Sequence, residues 1–271
     1  MIVRIETLDL PTLDAYRDLA RPEALAARGL FVAEGRLVVE RLIGLPHLRP
    51  ESLLLTPAAQ AALTGVLTAV PGDVPVYVAD QALMNAVVGF NIHRGCLALA
   101  TRPASRPWPP PDVAAWRRAL VLEGVTNPDN VGGLFRAAAA LGAGGVVLGP
   151  HCGDPLYRKA IRTSMAATLS LPFVTAPHWP GALDDMRRAG LTVVACTPDE
   201  RAPALYDVAL PARAAVLVGA EGPGLSAAAL AAADLRVRIP MHGGLDSLNV
   251  ATAAAIVLSA LEARDRATSP A

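Results

Sequence analysis

From residue 119 onward, continuous apolar runs alternate with segments of helical periodicity. The runs are 119–122, 145–148, 191–195, 214–218 and 235–239; helical patterns fall at 130–141, 155–166, 183–189 and 226–233, and a last one covers 248–262. A strand with one wet face alternates apolar and polar residues, whereas these runs do not alternate, so both faces are buried. Strands of that kind joined by helices predict a parallel α/β sheet. In such sheets ligands sit where strands end in loops at the carboxyl edge, so those loops are the places to search for chemistry.

The stretch 101–112, TRPASRPWPPPD, holds five prolines and no periodicity. It divides the chain into an N-terminal region 1–105, a linker 106–116 and a C-terminal region 117–271. The N-terminal region also mixes patterns: helices at 13–27, 36–43, 58–67 and 81–87, and strands at 31–33, 52–55, 74–78 and 96–100. That predicts a second, smaller α/β domain.

With 271 residues, 53% of them apolar, there is ample material for two cores. No run of eighteen apolar residues exists, and Arg4, Glu6 and Asp9 replace the apolar core of a signal peptide. A cytoplasmic protein without a membrane segment is expected. Cys96, Cys152 and Cys196 form no CxxC pair, so neither a disulfide framework nor a metal site is expected; they read as buried small residues. The formal net charge is zero, which restricts any nucleic-acid contact to a local patch.

Three segments at strand ends carry polar groups and glycines. After the first run come Asn130, Gly132, Gly133 and Arg136. Asp129 or Asn130 can cap the helix there, which is worth about 1 kcal/mol and needs no function. Two glycines in the first turn each cost roughly 1 kcal/mol against alanine, and so point to a close approach to the backbone. After the fourth run, Gly219–Gly224 places Glu221 among glycines, where a carboxylate can orient an arginine or accept a ligand hydrogen bond. After the fifth, Met241 to Asn249 brings Ser247 and Asn249 to a helix N-terminus capped by Asp246 or Ser247, a position that favours anionic groups. His242 reads as a satisfied loop histidine.

In order and spacing the three segments resemble the motifs of the SpoU/TrmH branch of the SPOUT RNA methyltransferases. The resemblance spans about residue 119 to the last helix. It implies catalytic roles for Asn130, Arg136, Glu221, Ser247 and Asn249. It also implies S-adenosylmethionine held by Gly219, Ile239, Met241 and Leu248, with Gly222 and a loop containing Thr197 completing the pocket. Further implications are a deep trefoil knot, an obligate homodimer with a shared active site, and methyl transfer to a ribose 2′-hydroxyl, with Arg136 as the principal catalytic group. The segments 31–36 and 93–98 resemble the L30e-like RNA-binding domain of the ribosomal-RNA members. There Arg28, Arg36, Arg41 and Arg94 become candidate phosphate contacts. Ribosomal RNA is the expected substrate; transfer RNA, or a non-catalytic role in ribosome assembly, is the alternative.

Two other readings fail on register. Gly219–Gly224 lacks the GxGxxG spacing and following acidic residue of a dinucleotide fold. The run His242-Gly243-Gly244 suggests a serine hydrolase, but there is no GxSxG and no histidine after Ser247.

Overall fold

The computed structural model describes residues 1–7, 10–92, 94–243 and 245–268, with side chains to residue 266. Asp9, His93 and Gly244, named above, lie outside the described residues, as does the end of the chain beyond residue 268. The chain forms two compact units, one of residues 1–104 with 155–170, the other of residues 105–154 with 171–271.

The first unit is built on strands β1 (Ile2–Arg4), β2 (Leu30–Glu34), β3 (Pro50–Leu55), β4 (Val76–Val78) and β5 (Cys96–Thr101), in the order β1-β4-β3-β5-β2. β4 pairs parallel with β1 and β3, while β5 pairs antiparallel with β3 and β2. The helix expected over 13–27 is broken into short turns and the helix Pro22–Ala27. The cause is Pro22, which pushes Arg21 out of the helical region to φ −123° and then starts the next helix at its first position. In this core Tyr16 is fully buried and shares a 2.8 Å hydrogen bond with Ser52.

Residues 155–170 carry the helix Arg158–Thr163, which packs on β2. Buried Glu34 accepts from Arg158 and lies 3.7 Å from Arg162, and the Arg158 guanidinium sits 4.8 Å over the Phe90 ring. A buried carboxylate requires such partners, and this one ties the excursion to the first unit.

The second unit is a six-stranded, wholly parallel sheet of β6 (Arg118–Glu123), β7 (Gly145–Leu148), β8 (Phe173–Thr175), β9 (Thr192–Cys196), β10 (Ala214–Gly219) and β11 (Leu235–Val237), ordered β11-β9-β10-β6-β7-β8. The parallel sheet read from the continuous apolar runs is present, and β6, β7 and the core of β10 are buried along their whole length. The short strands β1 and β8 were not legible, and β11 stops at Val237 rather than Ile239. Residues 105–116 belong to this unit: Trp108 donates to Asp185 and Trp116 is buried against Gly144 and Gly145.

The last helix, Val250–Thr268, packs on the helix Pro128–Ala140. A Cβ on Gly133 would lie 3.0 Å from Ala251 Cβ, so the close approach expected at these glycines is made by another helix. Buried Asp265 locks its far end, accepting from Arg118 at 2.5 Å and pairing with Arg117 and Arg264. Asp265→Ala leaves the buried Arg118 without its main counter-charge and should destabilise the fold by about 3 kcal/mol, read from denaturant unfolding.

Candidate active site

The carboxyl ends of β9 and β10 and the segment after β11 surround a cleft of about 1120 Å³. Its walls are residues 196–200, 218–225, 238–239, 241 and 245–250. All six residues expected to hold a cofactor line it: Thr197, Gly219, Gly222, Ile239, Met241 and Leu248. Glu221, Ser247 and Asn249 line it as well.

Gly219 is where the geometry is tightest. A Cβ there would fall 2.3 Å from the Gly224 carbonyl carbon and 2.5 Å from Leu225 N, because the loop folds straight back over the strand end. Gly224 N donates to Ala220 O at 3.0 Å, and Gly222 and Gly224 turn the chain at φ 86° and 70°, values that favour glycine.

Across the cleft, Ile239, Met241 and Leu248 are half-buried, yet their backbone groups make no hydrogen bond among the described residues. Three such backbone stretches in one wall can offer donors and acceptors to a ligand edge. The loop between is fixed by Asp199, which takes a two-point contact from Arg201. That contact and the Arg201 backbone N–H hold the Asp199 carboxyl down to about 2.

Asn249 organises the mouth. Its Oδ1 accepts from Ala251 N at 3.0 Å and Thr252 N at 3.4 Å, so it caps the last helix, the role expected of Asp246 or Ser247. That fixes the amide orientation and aims Nδ2 at two acceptors: Asn130 Oδ1 at 2.9 Å and Glu221 Oε1 at 3.0 Å. Asn130 in turn is not a cap. Asn127 caps that helix through a 2.8 Å bond from Asp129 N, with Pro128 at the first position, and this leaves Asn130 in the first turn, buried. The Asn130 Nδ2 has no partner among the described residues. Asn249→Asp keeps the cap but sets a carboxylate against Glu221; the variant should fold and lose the activity of the site, whereas Asn249→Ala should also lose about 1 kcal/mol of stability.

Arg136 stands apart. It is exposed, two turns along the helix from Asn130, does not line the cleft, and makes no hydrogen bond or ion pair among the described residues. His242 is likewise exposed and has no partner among the described residues, where a satisfied histidine was expected. Of the cysteines only Cys96 is buried; Cys152 and Cys196 are half-buried. Burial pushes Cys96 up to about 12 and Cys196 up to about 11, and raises Cys152, so all three stay as thiols at neutral pH.

In the first unit, Arg28, Arg36, Arg41 and Arg94 are all exposed. Arg28 pairs with Asp18 and Arg41 donates to Met165 O. Arg94 lies along Gly35, next to Arg36, and neither arginine has a partner among the described residues.

Sequence reading passed over Glu123. It is buried at the end of β6, where Oε1 accepts from Trp179 Nε1 at 2.6 Å and from Ser226 Oγ at 2.7 Å, and Oε2 from Ser226 N at 2.8 Å. An acidic residue ending an all-apolar run was the available signal.

Among the described residues, no cluster has the makings of a metal site and no helix is long and apolar enough to cross a membrane. A parallel sheet with a large glycine-turned cleft at its carboxyl edge, rimmed by a carboxylate and two coupled amides, defines an α/β ligand-binding protein. The chain belongs to the SpoU rRNA methylase family, whose model matches residues 117–259, and it is an RNA methyltransferase. It is 44% identical over 255 residues, 92% of this chain and 87% of the relative, to a Mycobacterium bovis protein named as an uncharacterised tRNA/rRNA methyltransferase. It is 28% identical to the Bacillus subtilis 23S rRNA (guanosine(2553)-2′-O)-methyltransferase, over 94% of this chain and 97% of that one. Among solved structures, a putative RNA methyltransferase of the TrmH family from Porphyromonas gingivalis superposes with a TM-score of 0.80 at 26% identity, covering 96% and 100% of the two chains.

Proposed function

We propose that this protein transfers a methyl group from S-adenosylmethionine to a ribose 2′-hydroxyl of ribosomal RNA, in the cytoplasm and as a homodimer. The observation that carries this is the Asn130–Asn249–Glu221 chain of hydrogen bonds at the mouth of the cleft. The unpaired backbone of Ile239, Met241 and Leu248 fits an adenine edge, and the Gly219 turn leaves room for a ligand close to the main chain. When bound, S-adenosylmethionine supplies an electrophilic methyl group.

The chain's own residues align the acceptor. The free Asn130 Nδ2 is a donor for a ribose or phosphate oxygen, and Glu221 holds Asn249 in place. Arg136 anchors the hydroxyl oxygen and the adjacent phosphate electrostatically; its guanidinium stays charged and is a poor base. Because Arg136 has no partner among the described residues and lies off the cleft of its own chain, it serves the cleft of a second copy. Residues 1–105 act as the L30e-like substrate-binding domain, with Arg36 and Arg94 as phosphate contacts, residues 106–116 as the linker and residues 117–271 as the knotted methyltransferase domain.

The test is transfer of labelled methyl from S-adenosylmethionine into unmodified bacterial ribosomal and transfer RNA, with the product located by ribose-methylation mapping. Label at a ribose of ribosomal RNA is the expected result. Label only in transfer RNA would overturn the substrate, and absence of cofactor binding would overturn the reaction.

A further inference from the structure

A second cavity, of about 310 Å³, opens at the carboxyl ends of β7 and β8 and is lined by His151, Cys152, Thr175, His178 and Trp179 among others. We propose that it receives the nucleobase of the nucleotide being methylated. This rests on the ribose-methylation reading and adds a base subsite to it.

The first argument is spacing. In the sheet order β9-β10-β6-β7-β8, the cofactor cleft covers the ends of β9 and β10 and the second cavity covers β7 and β8, with β6 between them. Strands lie about 4.8 Å apart, so the two centres are roughly three such steps apart, and the end of β6, which Asn130 follows, lies about one and a half steps from the second cavity, the span of a ribose and its base. A ribose held at the free Asn130 amide therefore directs its base toward β7 and β8.

The second argument is chemistry. Trp179 is fixed at the wall on two sides: its indole N–H is held by Glu123, and its ring carbons lie 3.1 and 3.2 Å from where a Gly149 Cβ would be. His178 is held by Asp185, 3.2 Å from its Nε2, beside Trp108. Immobilised aromatic rings are stacking platforms for unpaired bases. His151, at the rim, is held at φ 57°, a conformation seldom adopted by residues with a Cβ and found preferentially where function requires it. The Thr175 hydroxyl, which has no partner among the described residues, and the His151 ring add edge contacts able to distinguish bases.

The third is coupling. Glu123 binds Trp179 through the same oxygen that accepts from Ser226, the residue just beyond the cofactor loop. The carboxylate thus joins Trp179, in the wall of the second cavity, to the residue that follows the cofactor loop.

The experiment uses the full chain. The four ribonucleoside 5′-monophosphates are titrated while tryptophan emission is followed, in wild type, Trp179→Phe, Thr175→Phe and His178→Ala; affinity for S-adenosylmethionine is measured alongside. Expected are a saturable quench by at least one nucleotide, its loss in Trp179→Phe, and a tenfold or greater weakening in Thr175→Phe, with cofactor affinity within twofold of wild type. On RNA, Thr175→Phe should raise KM more than it lowers kcat. Should Thr175→Phe lose cofactor binding, His178→Ala decides in its place. No saturable quench with any nucleotide, or a quench indifferent to these variants, overturns the subsite. Failure of wild-type methyl transfer would instead overturn the reaction and would leave the nucleotide titration to speak for the cavity alone.

Discussion

Arg136→Ala is expected to lower methyl transfer by on the order of 10²- to 10³-fold while leaving the affinity for S-adenosylmethionine unchanged. The guanidinium is exposed, lies outside the cleft lining and has no hydrogen-bond or ion-pair partner among the described residues, so its removal should leave thermal stability within about 0.5 kcal/mol of wild type. An exposed charge that supports neither fold nor cofactor yet is needed for turnover acts on the acceptor. Turnover and calorimetric cofactor binding on the same preparation check this. Arg136→Lys keeps the charge without the planar fork and should recover only a small part of the rate; near-normal turnover would argue against a geometric role.

Gly219→Val should abolish the other half of the site. Its Cβ would overlap the main chain of Gly224 and Leu225, which cannot yield as the end of a flexible side chain would, so residues 220–225 must move out of the cleft wall. Affinity for S-adenosylmethionine should fall by about 100-fold or more, roughly 2.7 kcal/mol. Gly219→Ala should show the same loss, because the overlap begins at Cβ. Mixing the two defects separates the assembly models. If Arg136 serves the cleft of a second copy, dimers of Arg136→Ala with Gly219→Val contain one intact site and regain activity that neither variant has alone. If each chain works by itself, the mixture stays inactive.

The continuous runs 119–122, 145–148 and 214–218 carried enough information to specify a doubly buried parallel sheet, because alternation of polarity is lost only when both faces are covered. The glycines at 219, 222 and 224 and the polar groups at 221, 247 and 249 announced the cleft, since each interrupts a pattern that would otherwise continue. Capping was misassigned at both helices. Asn127 and Asn249, rather than their neighbours, hold those termini, and a choice between adjacent Asp, Asn and Ser residues depends on backbone angles that a string of residues does not specify.

Local order and spacing thus determined by themselves the α/β class and the loops and residues that line the cleft. The tertiary structure alone decided the rest: that Gly133 meets the last helix rather than a ligand, that Asn249 ties Asn130 to Glu221 across 119 and 28 positions, and that residues 155–170 leave the second unit to cover buried Glu34. Arg136 was placed by the same means, exposed and off the cleft. Each of these depends on which distant segments meet in space. Patterning selects an element's type and its buried face, but the partner is set by packing and by the pairing of buried polar groups, both properties of the whole fold.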